Sequence, residues 1–186
     1  MLEVGPAGLR ISAVAKKAGM AHPNIIHHFG SRQGLINALA DRVGSQATKR
    51  ITQAITDALA APSEDRVSAM THVLDMAYPG DAGKAAIWLH LSGAETDMKP
   101  NMDKIVALSH SLRQHINPDV VLDDTNRLTL LVTLALVGEV VSGASIKEAL
   151  GFGHDQASRA HFRQWLTEIL LNITNDQLNT SLKDSD

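Results

Sequence analysis

Cysteine is absent from the 186-residue chain. That excludes disulfides, thiolate nucleophiles and zinc–thiolate sites, and it points to the reducing cytoplasm. Aromatic residues are scarce at 3%, whereas Ala and Leu are abundant, a balance that favours helix. No stretch alternates apolar and polar residues as a strand does. There is no internal repeat and no low-complexity tract. The most apolar run, Leu128 to Val141, falls short of the roughly 20 residues a membrane span needs and is broken by Glu139. No membrane partner is therefore expected. Gly5-Pro6-Ala7-Gly8 interrupts the opening, so no signal peptide is expected there. The usual marks of catalysis are missing as well. His110 and His115 are five apart, off a single helical face, and there is no HExxH and no G-x-S-x-G. Gly151-Phe152-Gly153 punctuates a loop and does not follow a strand as a phosphate cradle would. The expectation is no enzyme, no catalytic residue, no metal site and no cofactor.

What remains is 44% hydrophobic, enough for a compact core. The charge is uneven. Residues 1–50 hold seven Lys/Arg against two Asp/Glu, while residues 51–186 hold ten against eighteen. A basic head on an acidic body suits a protein that meets phosphate at one end.

The head contains the most informative stretch, Leu9 to Leu35. Ile11, Val14, Ala15 and Ala18 are spaced three and four apart and predict a helix over Ile11–Ala18. Gly19 is placed to end it. A second helix follows over His22–Phe29, with Pro23 in its first turn. Ile25 and Phe29 would face inward with Met20, leaving His22, Asn24, Ile26, His27 and His28 on or near the outside. Gly30-Ser31 breaks and recaps the chain. Two helices joined by a glycine turn outline a helix-turn-helix at about residues 10–29, whose second helix enters the DNA major groove.

The letters of this stretch resemble the signature of the tetracycline-repressor (TetR) family. The match is carried by Val14, Ala15, Ala18, Gly19, Ile25, His28, Phe29, Ser31 and Leu35, with Arg32 in place of the usual Lys. Ile26 stands where the family has an aromatic residue, which removes a phenol directed at phosphate. By the same resemblance, Met1 to Gly5 is only the last turn of a first helix, most of which is expected to be absent. The resemblance implies a dimeric repressor on a palindromic, double-stranded DNA operator, released by a small effector. An alternative follows from the short opening: a helical homodimer that binds a small molecule but not DNA.

The DNA-contacting candidates are Arg10, His22, Pro23, Asn24, Ile26, His27, His28 and Arg32. Arg10 precedes the first short helix, where backbone N–H groups also meet phosphate. Arg32 takes the place of the phosphate-holding Lys. Asn24 can bond adenine in a bidentate way and Ile26 can touch a thymine methyl. His28 corresponds to the family His that approaches the backbone. Protonation of His22, His27 or His28 is expected to strengthen binding at lower pH.

The rest reads as helices. Arg32 to Ala60 predicts one long helix whose stripe, Leu35 to Leu59 in steps of four, drifts around it. Its start would pack on the head and its end on the body. Ser63-Glu64-Asp65 resembles an N-terminal cap, followed by a face of Val67, Met70, Val73, Leu74 and Ala77. A helix over Lys84–Glu95 turns Ile87, Trp88 and Leu91 inward. Another starts after a break at Lys99-Pro100-Asn101 and stops at Asn117-Pro118. Asp123-Asp124 opens a helix to about Leu150, apolar nearly all round and so expected to be buried on several sides. The last spans about Gln156 to Leu178. The fold class is all-α, with a head over 1–46 and an effector-binding, dimerising body over 47–186. Met70, Leu74, Tyr78, Trp88 and Met102 are the candidate lining for a small, largely apolar effector. The last two helices are expected to pair with their copies in a homodimer through Leu131, Ala135, Gly138, Trp165, Ile169 and Ile173.

Overall fold

The computed structural model describes residues 10–153 and 155–175. The expected helical turn at Met1–Gly5, the loop through Gly8, and the end of the last helix beyond Asn175 lie outside the described residues. Within them there are eight α-helices, one 3₁₀ turn and no strand. The helices are α1 (Ile11–Ala18), α2 (His22–Phe29), α3 (Arg32–Ala60), α4 (Arg66–Ala77), α5 (Gly80–Leu91), α6 (Lys99–Ile116), α7 (Leu122–Ala149) and α8 (Gln156–Asn175).

The 29-residue α3 is the spine, about 43 Å long at 1.5 Å per residue. Its buried positions move around its axis as the drifting stripe requires: Leu35 and Ile36 at the start, Thr48 in the middle, Ala54 and Ile55 near the end. Leu35 joins Ala15 and Ile25 in the core of the head, with Ile11, Val14, Phe29 and Leu39 around them. The next residue, Ile36, packs with Leu89 of α5. The far end of α3 packs Ala54 and Ile55 against Val73 of α4 and Leu112 of α6. Fully burying a side chain such as Ile36 or Ile55 contributes about 1.5–3 kcal/mol. One rigid element therefore belongs to three apolar clusters, and the head is built onto the body rather than tethered to it.

Several local expectations are corrected. Met20 and Ala18 are exposed. With only eight residues, α1 presents Ala15 as its one fully buried position, and the turn carries Met20 outward. Ser63–Asp65 forms a 3₁₀ turn without a side-chain cap. In α5, Pro79 precedes the first turn, so the helix begins at Gly80 and ends at Leu91. This shift buries Leu89 and leaves Leu91 exposed, against the expected inward Leu91. Pro100 does not break the chain; it occupies the first turn of α6, where its missing N–H is harmless.

The largest correction concerns α7. Only Thr125 and Leu136 are fully buried in its 28 residues. Leu136 packs with Leu74 of α4 and Leu166 and Leu170 of α8. The opposite side presents Leu130, Leu131, Leu134 and Val141 to the surroundings, with Leu130 and Leu134 60% and 61% exposed. A helix apolar on all sides needs partners on all sides, and this chain supplies them on one. By length and composition alone, α7 is long enough and apolar enough to cross a membrane; the 14-residue run lies inside a longer helix. The charge inside that run is not stray. The Glu139 side chain is buried and faces α8, where Arg163 donates to it at 3.0 Å.

Candidate nucleic-acid interface

The geometry of the head starts with two glycine turns. At the end of α1, Gly19 takes φ 66°. The Met20 N–H donates to the Ala15 carbonyl at 2.9 Å and the Gly19 N–H to Lys16 at 3.3 Å. These paired bonds close the helix with a left-handed glycine that a Cβ would strain. At the end of α2, Gly30 has φ 72° and ψ −50°, and the Ser31 N–H reaches back to the Phe29 carbonyl at 2.8 Å. That is a γ-turn of the rare, positive-φ kind. Ser31 then caps α3, its Oγ accepting from the Gly34 N–H at 3.0 Å. The chain reverses twice within a few residues, and α1, α2 and the start of α3 close around Ala15, Ile25 and Leu35.

Burying Ile25 and half-burying Phe29 decides what α2 shows to the outside. His22, Pro23, Asn24, His27 and His28 are exposed and Ile26 is half-buried. The structure thus brings six of the eight DNA-contacting candidates onto one short helix. Arg10 and Arg32 are exposed at the starts of α1 and α3. Arg10 supplies its carbonyl to the Ala13 and Val14 N–H groups at 3.0 and 3.1 Å. Lys16 and Lys17 lie in the last turn of α1, where cations meet the negative end of the helix dipole. The His28 ring stands edge-on to Phe29, with centroids 4.7 Å apart. Between Arg10 and Ala40 there is no Asp or Glu.

The residues expected to line an effector pocket are not gathered in one place. Met70 packs on the cluster of Ala54, Ile55, Val73 and Leu112. Leu74 and Tyr78 belong with Leu136, Leu166 and Leu170. Trp88 lies beside Ile36 and Leu89, its indole N–H buried without a hydrogen-bond partner. Met102 is half-buried on α6. Burial also pushes the Tyr78 phenol above its ordinary pKa. A groove of about 360 Å³ lies elsewhere, lined by Ser63, Arg66, Val67, Glu168, Leu171, Asn172 and Asn175. Of the expected dimer residues, Leu131, Gly138 and Trp165 are exposed, and Ala135, Ile169 and Ile173 are half-buried.

Two polar clusters were not read from the sequence. Arg163, 5% exposed, donates to Glu139 on α7, to Asp75 on α4 at 2.9 Å and to the Leu74 carbonyl at 3.3 Å. Arg113 on α6 is equally buried and donates to Thr125 at 2.9 Å and Thr174 at 3.3 Å. Burial pulls the Arg113 guanidinium below its ordinary pKa, with Asp124 acting in the opposite direction. Both arginines sat among polar or charged residues on helices, where the periodic pattern assigns them to solvent. Among the described residues, no group of three or more His, Asp or Glu is placed to hold a metal ion.

An eight-residue helix, a glycine turn, and a second eight-residue helix with its polar side outward define a helix-turn-helix head on an all-helical body. Proteins of this class are DNA-binding regulators. Residues 1–39 match the family model described as bacterial regulatory proteins, tetR family. The match covers the head and the start of the long helix, so these residues are similar to the DNA-binding part of that family of transcriptional regulators. No curated protein and no solved structure matches the chain.

Proposed function

We propose that this chain is a dimeric repressor that leaves a palindromic operator when a small effector binds the body. The observation that carries the reading is the outward side of α2, held on a core that continues without a hinge into α3. Residues 1–46 form the DNA-binding head in this reading and residues 47–186 the effector-binding and dimerising body. His22, Pro23, Asn24, Ile26 and His27 meet base edges, while Arg10, His28 and Arg32 hold phosphate. The working place is the cytoplasm, and the body carries no catalytic role.

The exposed apolar side of α7 supports the dimer. Leu130, Leu131, Leu134 and Val141 run along it, and Trp165 of α8 is 52% exposed beside them in the order of the fold. Gly138 lies between them with nothing within 4 Å of a Cβ built on it, so another helix can come close there. Two copies of α7 and α8 would form a four-helix interface and space the heads for successive major grooves, about 34–36 Å apart. The wild-type chain should sediment at twice its 20.0 kDa mass, and Leu134→Glu should sediment at the mass of one chain. A wild-type protein that stays a single chain at micromolar concentration would remove the dimer from the reading.

The link from effector to DNA is α3. Its far end packs with α4 and α6, so a largely apolar effector that shifts α4 or α6 in the body would tilt both heads. The DNA part is tested by selecting duplexes from a random library on the purified full chain. Asn24→Ala should then lose about 1–3 kcal/mol at one base position and relax the choice there. Arg32→Ala should instead weaken all sequences alike and reduce the salt slope by about 1. Failure to enrich any duplex from the library would refute the DNA assignment.

A further inference from the structure

We infer that DNA binding by this head is coupled to proton uptake, through His27 and His28 of α2. The inference rests on the reading of α2 as the DNA-contacting helix. The eight residues of α2, HPNIIHHF, contain no Lys, Arg, Asp or Glu. A helix that enters a groove between two rows of phosphates ordinarily brings fixed cations; this one brings only imidazoles. His27 and His28 occupy its last turn, the end of a helix at which a positive charge is stabilised. His22 opens the helix, at the end where a positive charge is disfavoured, so the coupling is assigned to the other two. Both are exposed, and neither is committed to a carboxylate.

From α1 and the residue before it come Arg10, Lys16 and Lys17, and from the start of α3 comes Arg32, all cations. The first carboxylate is Asp41, in the third turn of α3. Glu95, after α5, reaches α3 through its backbone N–H, which donates to the Asn37 Oδ1 at 3.1 Å. Among the described residues, neither α1 nor the first two turns of α3 brings an anion that competes for an imidazolium. Duplex DNA supplies anions on both sides of the helix. An imidazole changes charge between pH 5 and 8. The phosphates that flank the groove favour the charged form of each ring, whether it meets a base edge or a phosphate, and so draw protons from solution as the complex forms. The consequence is affinity that rises as pH falls, within a range a cytoplasm can reach.

The experiment uses the purified full chain and a duplex enriched from a random library at pH 7. Affinity is measured at pH 6, 7 and 8 at constant ionic strength, with salt titrations at each end. Expected is a tightening of at least about tenfold from pH 8 to pH 6, as one or two protons are taken up per head. The salt slope should be steeper at pH 6 by about 0.9 for each imidazolium placed on a phosphate. The variant His27→Gln/His28→Gln should lose this pH dependence, with unchanged helical circular dichroism. Equal affinity and equal salt slope at the two pH values would overturn the inference while leaving DNA binding intact. Wild-type pH dependence retained in the double variant would also overturn it, by assigning the protons to the body. A library from which nothing is enriched at any pH would instead overturn the DNA reading, and the inference with it.

Discussion

Gly34→Ala is expected to weaken operator binding by about a hundredfold or more and to destabilise the head by about 1–3 kcal/mol, the cost of forcing a group into a filled space. A methyl group at Gly34 would run into the Phe29 carbonyl oxygen, which is backbone and cannot swing aside. That carbonyl is already engaged, accepting the Ser31 N–H at 2.8 Å. The Gly34 N–H in turn donates to the Ser31 hydroxyl at 3.0 Å. So the end of α2, the γ-turn at Gly30 and the first turn of α3 occupy a volume that a single Cβ would exceed. The only relief is to move α2 away from α3, which displaces the outward residues of α2 relative to the spine. Gly44 makes the contrast. It also lies within α3, but a Cβ there meets the Asn101 Nδ2 at 3.6 Å, an ordinary contact. Gly44→Ala should therefore stabilise by up to about 1 kcal/mol through helix propensity alone. Thermal denaturation and duplex binding of the two variants check the pair. Gly34→Ala with wild-type melting and wild-type affinity would show that the junction yields more easily than its geometry implies.

The sequence made the head legible because its signals are local. Gly19, Pro23 and Gly30-Ser31 each act within a few residues, and the structure places the helix ends at those positions. The register of the long connecting helix was legible for the same reason, since the drift of Leu35 to Leu59 depends only on the helical period. Gly34 was not legible as a contact. A glycine in a helix reads as a weak spot, and nothing in its neighbours reveals that a carbonyl five residues back presses on it. In the body, the apolar period identified which segments are helices but not which side is covered. Leu89 and Leu91 are both apolar, and only the start of α5 at Gly80 decides between them. In α7 the pattern is apolar all round, so it carries no information about direction. Burial there is decided by what the chain can bring up to it, and that is one side from α4 and α8. Buried Arg113 and Arg163 escaped for a related reason. A charged residue in a helix reads as solvated until its partners, 12 to 89 residues away in the chain, are brought together by the fold.

Arg163→Met is expected to destabilise the body by about 3 kcal/mol, the lower end of the range for breaking a buried ion pair. The guanidinium joins three helices. It donates to Glu139 of α7 at 3.0 Å and to Asp75 of α4 at 2.9 Å from its place on α8. The side chains of Arg163 and Glu139 are 6% and 4% exposed, so water replaces little of what is lost. Two circumstances keep the loss from the upper end. Lys147 remains 3.4 Å from Glu139, and Asp75, at 47% exposed, can turn to solvent. Removing the charge at both ends should be far less harmful than removing it at one. The double variant Arg163→Met/Glu139→Leu fills the same space with apolar atoms and leaves no buried carboxylate unpaired, so it should regain most of the stability. Thermal denaturation separates the two, with Arg163→Met melting roughly 10 °C lower and the double variant within a few degrees of wild type. The pair also holds α7 in the orientation that turns Leu130, Leu134 and Val141 outward. Arg163→Met should therefore loosen the proposed dimer in the same sedimentation measurement in which Leu134→Glu is expected to give single chains, although residue 163 faces inward. A stable, dimeric Arg163→Met protein would mean that apolar packing around Leu136 sets the orientation of α7 without help from the charges.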